Sequence, residues 1–108
     1  MSALTFEEFK KTELRVAKVL DVLEIPGADR IWKLLVDVGG EKKEIVAGIK
    51  AHYSRESLLG KSIVVVNNLA PSVIRGVESQ GMLLAAKSEG LLSVLTLDKD
   101  LPPGSLIG

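Results

Sequence analysis

The chain has 108 residues, of which 46% are hydrophobic and 26% charged, and its 14 basic and 14 acidic residues leave no net charge. This size and balance fit one globular domain with its own core, and they argue against a strongly basic nucleic-acid packager. Because cysteine is absent, disulfides and cysteine-based metal sites are excluded. The mean hydropathy of +0.27 is high for so small a domain and favours a partner subunit that covers apolar surface.

The N-terminal segment MSALTFEEFKK is acidic and polar and lacks the apolar stretch of a signal peptide. No apolar run approaches the roughly 20 residues that cross a bilayer. The sequence therefore predicts a cytoplasmic protein with no membrane partner, and the start MSAL favours a complete small protein over an excised domain. The charge is uneven, since residues 25–87 carry nine basic and six acidic residues. A local surface for nucleic acid is compatible with this excess, and so is an ordinary solvated face.

The first predicted element is a short helix in TFEEFKKTE, where Thr5 and Glu8 have the spacing of a capping box. A long strand follows at residues 14–25, and its apolar face changes midway, which predicts a bulge or strong bend. After a turn at PGAD, residues 31–38 alternate as a second strand. Trp32 lies on its apolar face, so a core position is favoured over a stacking platform for a base.

Gly39-Gly40 predicts a hairpin turn into a third strand, KKEIVAGI. SRESLLG predicts one or two helical turns capped by Ser54, followed by strands at KSIVVV, MLLAA and LLSVLTL and by a proline-rich turn. This order predicts an all-β fold, a five-stranded OB-fold Greek-key barrel with a short helix between strands three and four. We expect a single domain with an N-terminal helix in residues 1–13, the barrel in 14–87 and a C-terminal dimerisation extension with an extra strand in 88–108.

No set of catalytic groups can be assembled from this sequence. The one histidine, His52, has no triad partner in a recognisable motif, and there is no phosphate-cradling glycine fingerprint, zinc-binding HExxH or nucleophile elbow. We therefore expect neither an enzyme nor a cofactor or metal site.

Residues 67–82, NNLAPSVIRGVESQGM, form a polar interruption between two apolar runs. This 67–82 segment resembles the tRNA-binding domain found at the C-terminus of many methionyl-tRNA synthetases and in free-standing tRNA-binding proteins. The family pattern is Asn-Leu-x-Pro, a basic stretch, Gly, and then Ser-x-Gly-Met. The resemblance to the family extends to three other stretches, LRVAKVL, GADRIWKLLVDVGG and IVAGIKAHYSRESLLGKSIVVV. It therefore covers residues 5–108. The matching positions of the 67–82 segment are Asn68, Leu69, Pro71, Gly76, Ser79, Gly81 and Met82.

The resemblance implies an OB fold, a homodimer and binding of tRNA by shape at the outside corner of the L, largely regardless of sequence. It implies tRNA and a second copy of the chain as partners, with a methionyl-tRNA synthetase as a further candidate. Carried over position by position, the implied tRNA contacts are Lys33, Asn68, Arg75, Ser79 and Met82, and the further candidates for phosphate contacts are Lys50, Arg55 and Lys87.

These residue types suit a folded RNA. Asn68 and Ser79 can each donate to and accept from a 2′-hydroxyl or a base edge, Arg75 offers a planar fork for phosphate, and Met82 can lie against an unstacked base. Each has a structural alternative. Asn68 can close a turn, Ser79 can satisfy a neighbouring backbone group, Met82 can be core, and Lys33 can lie on the solvated side of its strand.

The sequence departs from the family pattern after the proline. Family members often carry a basic pair there, whereas this chain has Ser72 and Val73, which leaves Arg75 as the only cation of the segment. Fewer phosphate contacts predict weaker binding with a shallower salt dependence. His52 stands where a lysine is common, and Arg55 is an additional cation.

A second function stays open, because one branch of the family is a secretion-associated chaperone. An apolar dimer with exposed sheet edges could bind extended peptides by strand addition. The Ser-x-Gly-Met match favours tRNA binding, while the missing basic pair leaves room for the chaperone role.

Overall fold

The computed structural model describes residues 2–108, which form two short helices and ten strands. None of the described helices is long and apolar enough to cross a membrane. The all-β prediction is confirmed. The elements are α1 (Phe6–Phe9), β1 (Leu14–Ile25), β2 (Ala28–Asp37), β3 (Lys42–Ala47), α2 (Arg55–Leu58), β4 (Ser62–Val66), β5 (Ser72–Ile74), β6 (Val77–Ser79), β7 (Met82–Leu83), β8 (Ala85–Ser88), β9 (Leu91–Val94) and β10 (Leu106–Ile107).

The main sheet is antiparallel, with the strand order β3-β2-β1-β4-β7, and β10 also pairs with β1. Two smaller ladders join β5 to β6 and β8 to β9. β1 holds the sheet together because its first part pairs with β4 and its second part with β2. The register between β1 and β2 shifts between Val19 and Asp21. This bulge confirms the predicted change of face, and it lets Val19 and Val22 both be buried.

The core lies on the apolar face of β2 predicted from the sequence. Leu34 and Val36 are fully buried there, and Leu58 of α2 belongs to the same buried cluster. Trp32 is 7% exposed, and its indole Nε1 donates to the backbone carbonyl of Tyr53 at 2.8 Å. Trp32 is therefore a core residue whose polar atom is satisfied.

Both predicted helix caps are present. Thr5 and Glu8 form the capping box, and the Ser54 hydroxyl accepts from the Ser57 amide at 3.2 Å. The helices are only four residues long. α1 buries none of its residues.

Three sequence-based assignments need correction. The strand predicted at MLLAA is two strands, because the Leu84 amide donates to Val64 of β4 while the Leu84 carbonyl accepts from Leu95. The chain thus changes partner at Leu84. The strand predicted over 91–97 ends at Val94. The predicted C-terminal turn is followed by β10, which pairs with Leu14 and Arg15, where β2 has not yet begun to pair with β1.

The predicted Gly39-Gly40 turn lies beneath the C-terminal segment. The Asp37 carboxylate accepts from the amides of Gly39 and Gly40 at 2.9 and 3.0 Å. The Gly104 amide donates to the Val16 carbonyl at 2.7 Å. A Cβ on Gly39 would lie 2.9 Å from the Gly104 Cα, so the two backbones cross with no room for a side chain.

Candidate nucleic-acid interface

The 67–82 segment contains a β-hairpin that sequence analysis missed. β5 and β6 pair Ser72 with Ser79 and Ile74 with Val77, which leaves Arg75-Gly76 as a two-residue turn. Both turn residues have positive φ, 54° for Arg75 and 78° for Gly76, as a type I′ turn requires. The sequence did carry a signal for this turn, because Arg75-Gly76 places a glycine second in a pair that stands between two short stretches with β-branched residues. We call residues 72–79 the loop hairpin.

The loop hairpin is fixed to β3 by polar contacts at its C-terminal end. The Ser79 hydroxyl accepts from the Val46 amide at 2.9 Å and donates to the Gly81 carbonyl at 3.0 Å. The Gln80 amide donates to the Glu44 carbonyl, and the Gln80 Oε1 accepts from the Glu44 amide, both at 2.8 Å. Gln80 therefore bonds to β3 as a neighbouring strand would, a role that sequence analysis did not assign to it.

Ser79 is 2% exposed, and its hydroxyl both donates and accepts within the protein. The structural alternative for Ser79, satisfying backbone groups, is the arrangement seen here. In this conformation the hydroxyl offers nothing to RNA, and direct contact between Ser79 and tRNA remains a prediction.

Asn68 ties the segment to the N-terminal residues. Its Oδ1 accepts from the Glu13 amide at 2.8 Å, and its Nδ2 donates to the Lys11 carbonyl at 2.6 Å. Asn67 donates to Glu13 twice, from its amide to the backbone carbonyl at 2.8 Å and from Nδ2 to the carboxylate at 3.0 Å. The Asn68 side chain thus bonds to backbone groups of the N-terminal residues. It does not close a local turn, which was the structural alternative predicted from the sequence.

Arg75 and Met82 are presented to solvent. Arg75 is exposed at the tip of the loop hairpin and forms no salt bridge within residues 2–108. Met82 begins β7 and is 47% exposed, so the core alternative does not hold for its side chain. It lies along an apolar groove of about 360 Å³ together with Val46, Leu84 and Lys87.

Three of the predicted cations already have acidic partners, namely Lys33, Lys50 and Arg55. Lys33 Nζ lies 2.7 Å from Glu44. Lys50 Nζ lies 3.2 Å from Glu24 and 4.7 Å from the centre of the Trp32 ring. Such partly exposed ion pairs contribute only about 0–1 kcal/mol, so that a phosphate can replace the carboxylate at small cost.

Arg55 and Lys87 differ in how far the fold uses them. Arg55 Nη2 donates to Asp21 at 2.8 Å, and its Nε donates to the Val22 carbonyl at 3.1 Å, so it fastens α2 to β1. Lys87 is exposed on β8 and forms no salt bridge in the described chain. It borders a groove shared with His52. Lys87 is therefore the more available of the two for phosphate.

Two carboxylates have pKa values lowered by their contacts. The pKa of Glu13 lies below its ordinary value of 4.5, chiefly because Arg15 donates to its carboxylate, with Asn67 as the next cause. The pKa of Asp21 lies below 3.8 because the Val22 amide and then Arg55 donate to it. Glu13 is thus an anionic acceptor that joins β1 to the start of the 67–82 segment.

Low pH is expected to weaken the contacts that Glu13 and Asp21 make in the folded protein. Folding lowers both pKa values, so the stabilisation is fully present above the unfolded values of 4.5 and 3.8 and is lost as the pH falls through the lowered folded values. Glu13→Gln should lower the melting temperature at pH 7. As the pH falls from about 5 to about 2, the melting temperature of this variant should drop less than that of native protein. Thermal denaturation across pH tests this, with Glu78→Gln, an exposed carboxylate of β6, as the control. Parallel curves for native protein and Glu13→Gln would contradict the assignment.

Comparison with known proteins gives a consistent result. A family profile described as "Putative tRNA binding domain" matches residues 14–106. The methionine–tRNA ligase of Thermotoga maritima is 49% identical over 106 residues, which are 98% of this chain and 17% of the ligase. The ligase of Methanococcus aeolicus is 50% identical over 107 residues, 99% of this chain and 16% of that protein. The chain spans about one sixth of the length of these curated relatives.

Two solved structures resemble the whole chain. A MetRS related protein from Pyrococcus horikoshii has a TM-score of 0.93 and 35% identity, and all of both chains is covered. A chaperone CsaA from Bacillus anthracis has a TM-score of 0.89 and 30% identity, over 99% of this chain and all of the other. The profile match is to a tRNA-binding domain and not to a catalytic one, and it covers most of the sequence. The chain therefore belongs to the tRNA-binding domain family.

Proposed function

We propose that this chain binds tRNA by shape at the outside corner of the L, as a cytoplasmic homodimer without catalytic activity of its own. It acts alone or as an accessory of a methionyl-tRNA synthetase. By holding the body of the tRNA, it raises the effective concentration of the tRNA at the synthetase active site. The similarity to the two methionine–tRNA ligases supports this connection to a synthetase.

One observation carries the proposal. The loop hairpin presents Arg75 to solvent at its tip, while Ser79 and Gln80 fix its base to β3. An exposed cation on a hairpin that is fixed at its base, and an exposed methionine at the start of β7, suit the phosphate and unstacked bases of a folded RNA. In this proposal Arg75, Met82 and Lys87 contact the RNA directly, and Lys33 and Lys50 exchange carboxylate for phosphate. Ser79 and Asn68 position the hairpin, and Arg55 stays with α2.

The affinity is expected to be moderate because the hairpin has few cations. Ser72 and Val73 are exposed, Val73 at 70%, where a basic pair is common in the family. Each missing phosphate contact removes roughly 0.7–0.9 from the slope of log K against log salt.

A titration of fluorescent bulk tRNA across a salt series tests the proposal. Native protein should bind saturably with a linear log–log salt dependence, and Arg75→Gln should weaken binding and reduce the slope by at most roughly 0.7–0.9. Lys61→Gln, which removes a cation beyond α2, serves as the control and should bind like native protein. If native protein shows no saturable binding at low salt, the tRNA-binding proposal is wrong.

The proposed barrel and dimer have separate support. The strand order β3-β2-β1-β4-β7 and the Gln80–Glu44 bridge bring the two ends of the sheet together, as a five-stranded OB barrel over residues 14–87 requires. Apolar side chains outside it are exposed, including Phe6 at 68%, Leu91 at 75% and Leu106 at 70%. We infer that residues 1–13 and 88–108 cover one another between two copies. A monomeric mass in sedimentation at micromolar concentration would exclude this dimer.

A chaperone role is the second candidate. The similarity to the chaperone CsaA of Bacillus anthracis supports it, and the groove beside Met82 is lined by apolar groups of Val46, Ala47 and Leu84. Suppression of aggregation of a denatured model protein, without tRNA binding at low salt, would favour this role over the first.

A further inference from the structure

A third groove lies between the tip of the loop hairpin and the turn that joins β1 to β2. It is small, about 150 Å³, and its lining includes Arg75 from one side and Gly27, Asp29 and Arg30 from the other. Both sides end in two-residue turns, since Ile25 pairs with Ala28 across the first turn and Ile74 with Val77 across the second. Arg75 lies in the second turn. Asp29 and Arg30 follow the first turn at a register shift between β1 and β2, and the Arg30 carbonyl accepts from the Lys50 amide at 3.2 Å.

The positions of the two turns are also fixed relative to each other. Ile31 and Val77 pack against the buried cluster of Ile25, Ala28 and Val46. This contact fastens β6 of the hairpin over the beginning of β2. The apolar cluster thus joins the segment that carries Arg30 to the strand that follows Arg75.

The charges of the groove favour an anion. Arg30 and Arg75 are both exposed, and neither forms a salt bridge in the described part of the chain. Asp29 is the one carboxylate among the described lining residues, so the lining carries a net charge of +1. Two exposed arginines beside one small groove that holds a single carboxylate leave an excess of positive charge, which favours a bound anion.

We propose that Arg30 and Arg75 bind the same phosphate of the tRNA backbone, in the groove between the two turns. This inference rests on the proposed function and adds Arg30, which sequence analysis did not single out, as a binding residue. One shared phosphate is assigned because both residues line a single small groove, and because guanidinium forks suit bidentate contact with phosphate oxygens.

A double-mutant cycle with bulk tRNA tests the sharing. Arg30→Gln and Arg75→Gln should each weaken binding roughly 3- to 10-fold. The double variant should lose roughly one phosphate contact, 0.7–0.9 in salt slope, and its loss of affinity should differ from the product of the single losses. Asp29→Asn should tighten binding. Unchanged affinity in Arg30→Gln, or independent losses with a combined slope change near 1.4–1.8, would overturn the proposal while leaving tRNA binding intact.

The chain offers a matched control for the turn itself. Glu89-Gly90 joins β8 to β9 with positive φ at both residues, 47° and 80°, as Arg75-Gly76 does for the loop hairpin. Asparagine suits this position of a type I′ turn, so Arg75→Asn and Glu89→Asn should both raise the melting temperature by roughly 2–4 °C. Only Arg75→Asn should weaken tRNA binding. Equal effects of the two variants on tRNA affinity would show that the turn, and not the guanidinium, is responsible.

Titration with inorganic phosphate tests the proposed phosphate site independently of tRNA binding. In NMR titrations of native protein, phosphate should shift the side-chain Nε–Hε signals of Arg30 and Arg75 together, and Arg30→Gln should weaken the shift of Arg75. If these shifts occur but tRNA does not bind, the phosphate site stands and the proposed function fails. If tRNA binds and neither arginine signal moves with phosphate or tRNA, the site is wrong and the function stands.

Discussion

Replacing Ser79 with alanine is expected to lower the free energy of unfolding by about 1–3 kcal/mol, because a buried hydrogen-bond donor loses its partner. Ser79 is 2% exposed, so water cannot readily replace the hydroxyl. The Val46 amide would remain unpaired, and the Gly81 carbonyl would lose its donor. Denaturant unfolding of native protein and Ser79→Ala measures the loss. Ser57→Ala, whose hydroxyl donates to the Ser54 carbonyl on the exposed α2, is the control and should change stability by less than about 0.5 kcal/mol.

The same variant separates a positioning role for Ser79 from direct contact with RNA. If Ser79 positions the loop hairpin, Ser79→Ala should weaken tRNA binding and also speed hydrogen exchange of the Val46 amide and of the hairpin amides. If Ser79 contacts the RNA, affinity should fall while exchange of these amides stays as in native protein. Unchanged stability and unchanged exchange would contradict the role that the geometry assigns.

The parts of the fold that follow local patterns were predicted from the sequence. Alternation along residues 31–38 identified the buried face of β2 with Trp32, and the change of apolar face in β1 identified its bulge. The caps at Thr5 and Ser54 follow from short-range spacing. In each case the information lies within a few residues, because helix and strand periods are local properties of the chain.

The missing parts depend on contacts between distant residues. β7 ends before Leu84 because the Leu84 amide bonds to β4 while its carbonyl bonds to Leu95, and nothing in MLLAA indicates that change of partner. β10 exists because β1 has an open edge at Leu14 and Arg15. A two-residue strand of this kind has no periodic signal of its own.

The candidate site, like the fold, could be predicted from the sequence only in its local features. The sequence located the 67–82 segment, and the resemblance named Ser79 and Asn68, but neither could show where their hydroxyl and amide groups bond. Those partners, Val46 for Ser79 and Lys11 and Glu13 for Asn68, lie 33, 57 and 55 residues away. Arg30 was missed for a related reason: a cation at the start of β2 becomes notable only when the fold brings Arg75 to the same groove.

Replacing Gly39 with alanine is expected to destabilise the domain by about 2–4 kcal/mol, through backbone strain and a clash with backbone atoms. Gly39 has a φ of 85°, and an added Cβ would lie 2.9 Å from the Gly104 Cα and 3.0 Å from the Pro103 carbonyl oxygen. Neither neighbour can rotate away as a side chain would. The C-terminal segment must therefore shift, which endangers the Gly104–Val16 hydrogen bond and the donation from Arg15 Nη1 to the Gly104 carbonyl at 3.0 Å.

The adjacent glycine separates the clash from the strain. Gly40 has a φ of 93°, yet a Cβ added there meets nothing within 4 Å, so Gly40→Ala carries only the strain of about 1–2 kcal/mol. Denaturant unfolding should rank native protein above Gly40→Ala and Gly40→Ala above Gly39→Ala. Hydrogen exchange of the Gly104 amide should rise in Gly39→Ala alone, because only that variant lifts the C-terminal segment. Equal losses in the two variants would mean that the crossing at Gly104 yields freely, and that the C-terminal segment is held by β10 and its pairing with β1 instead.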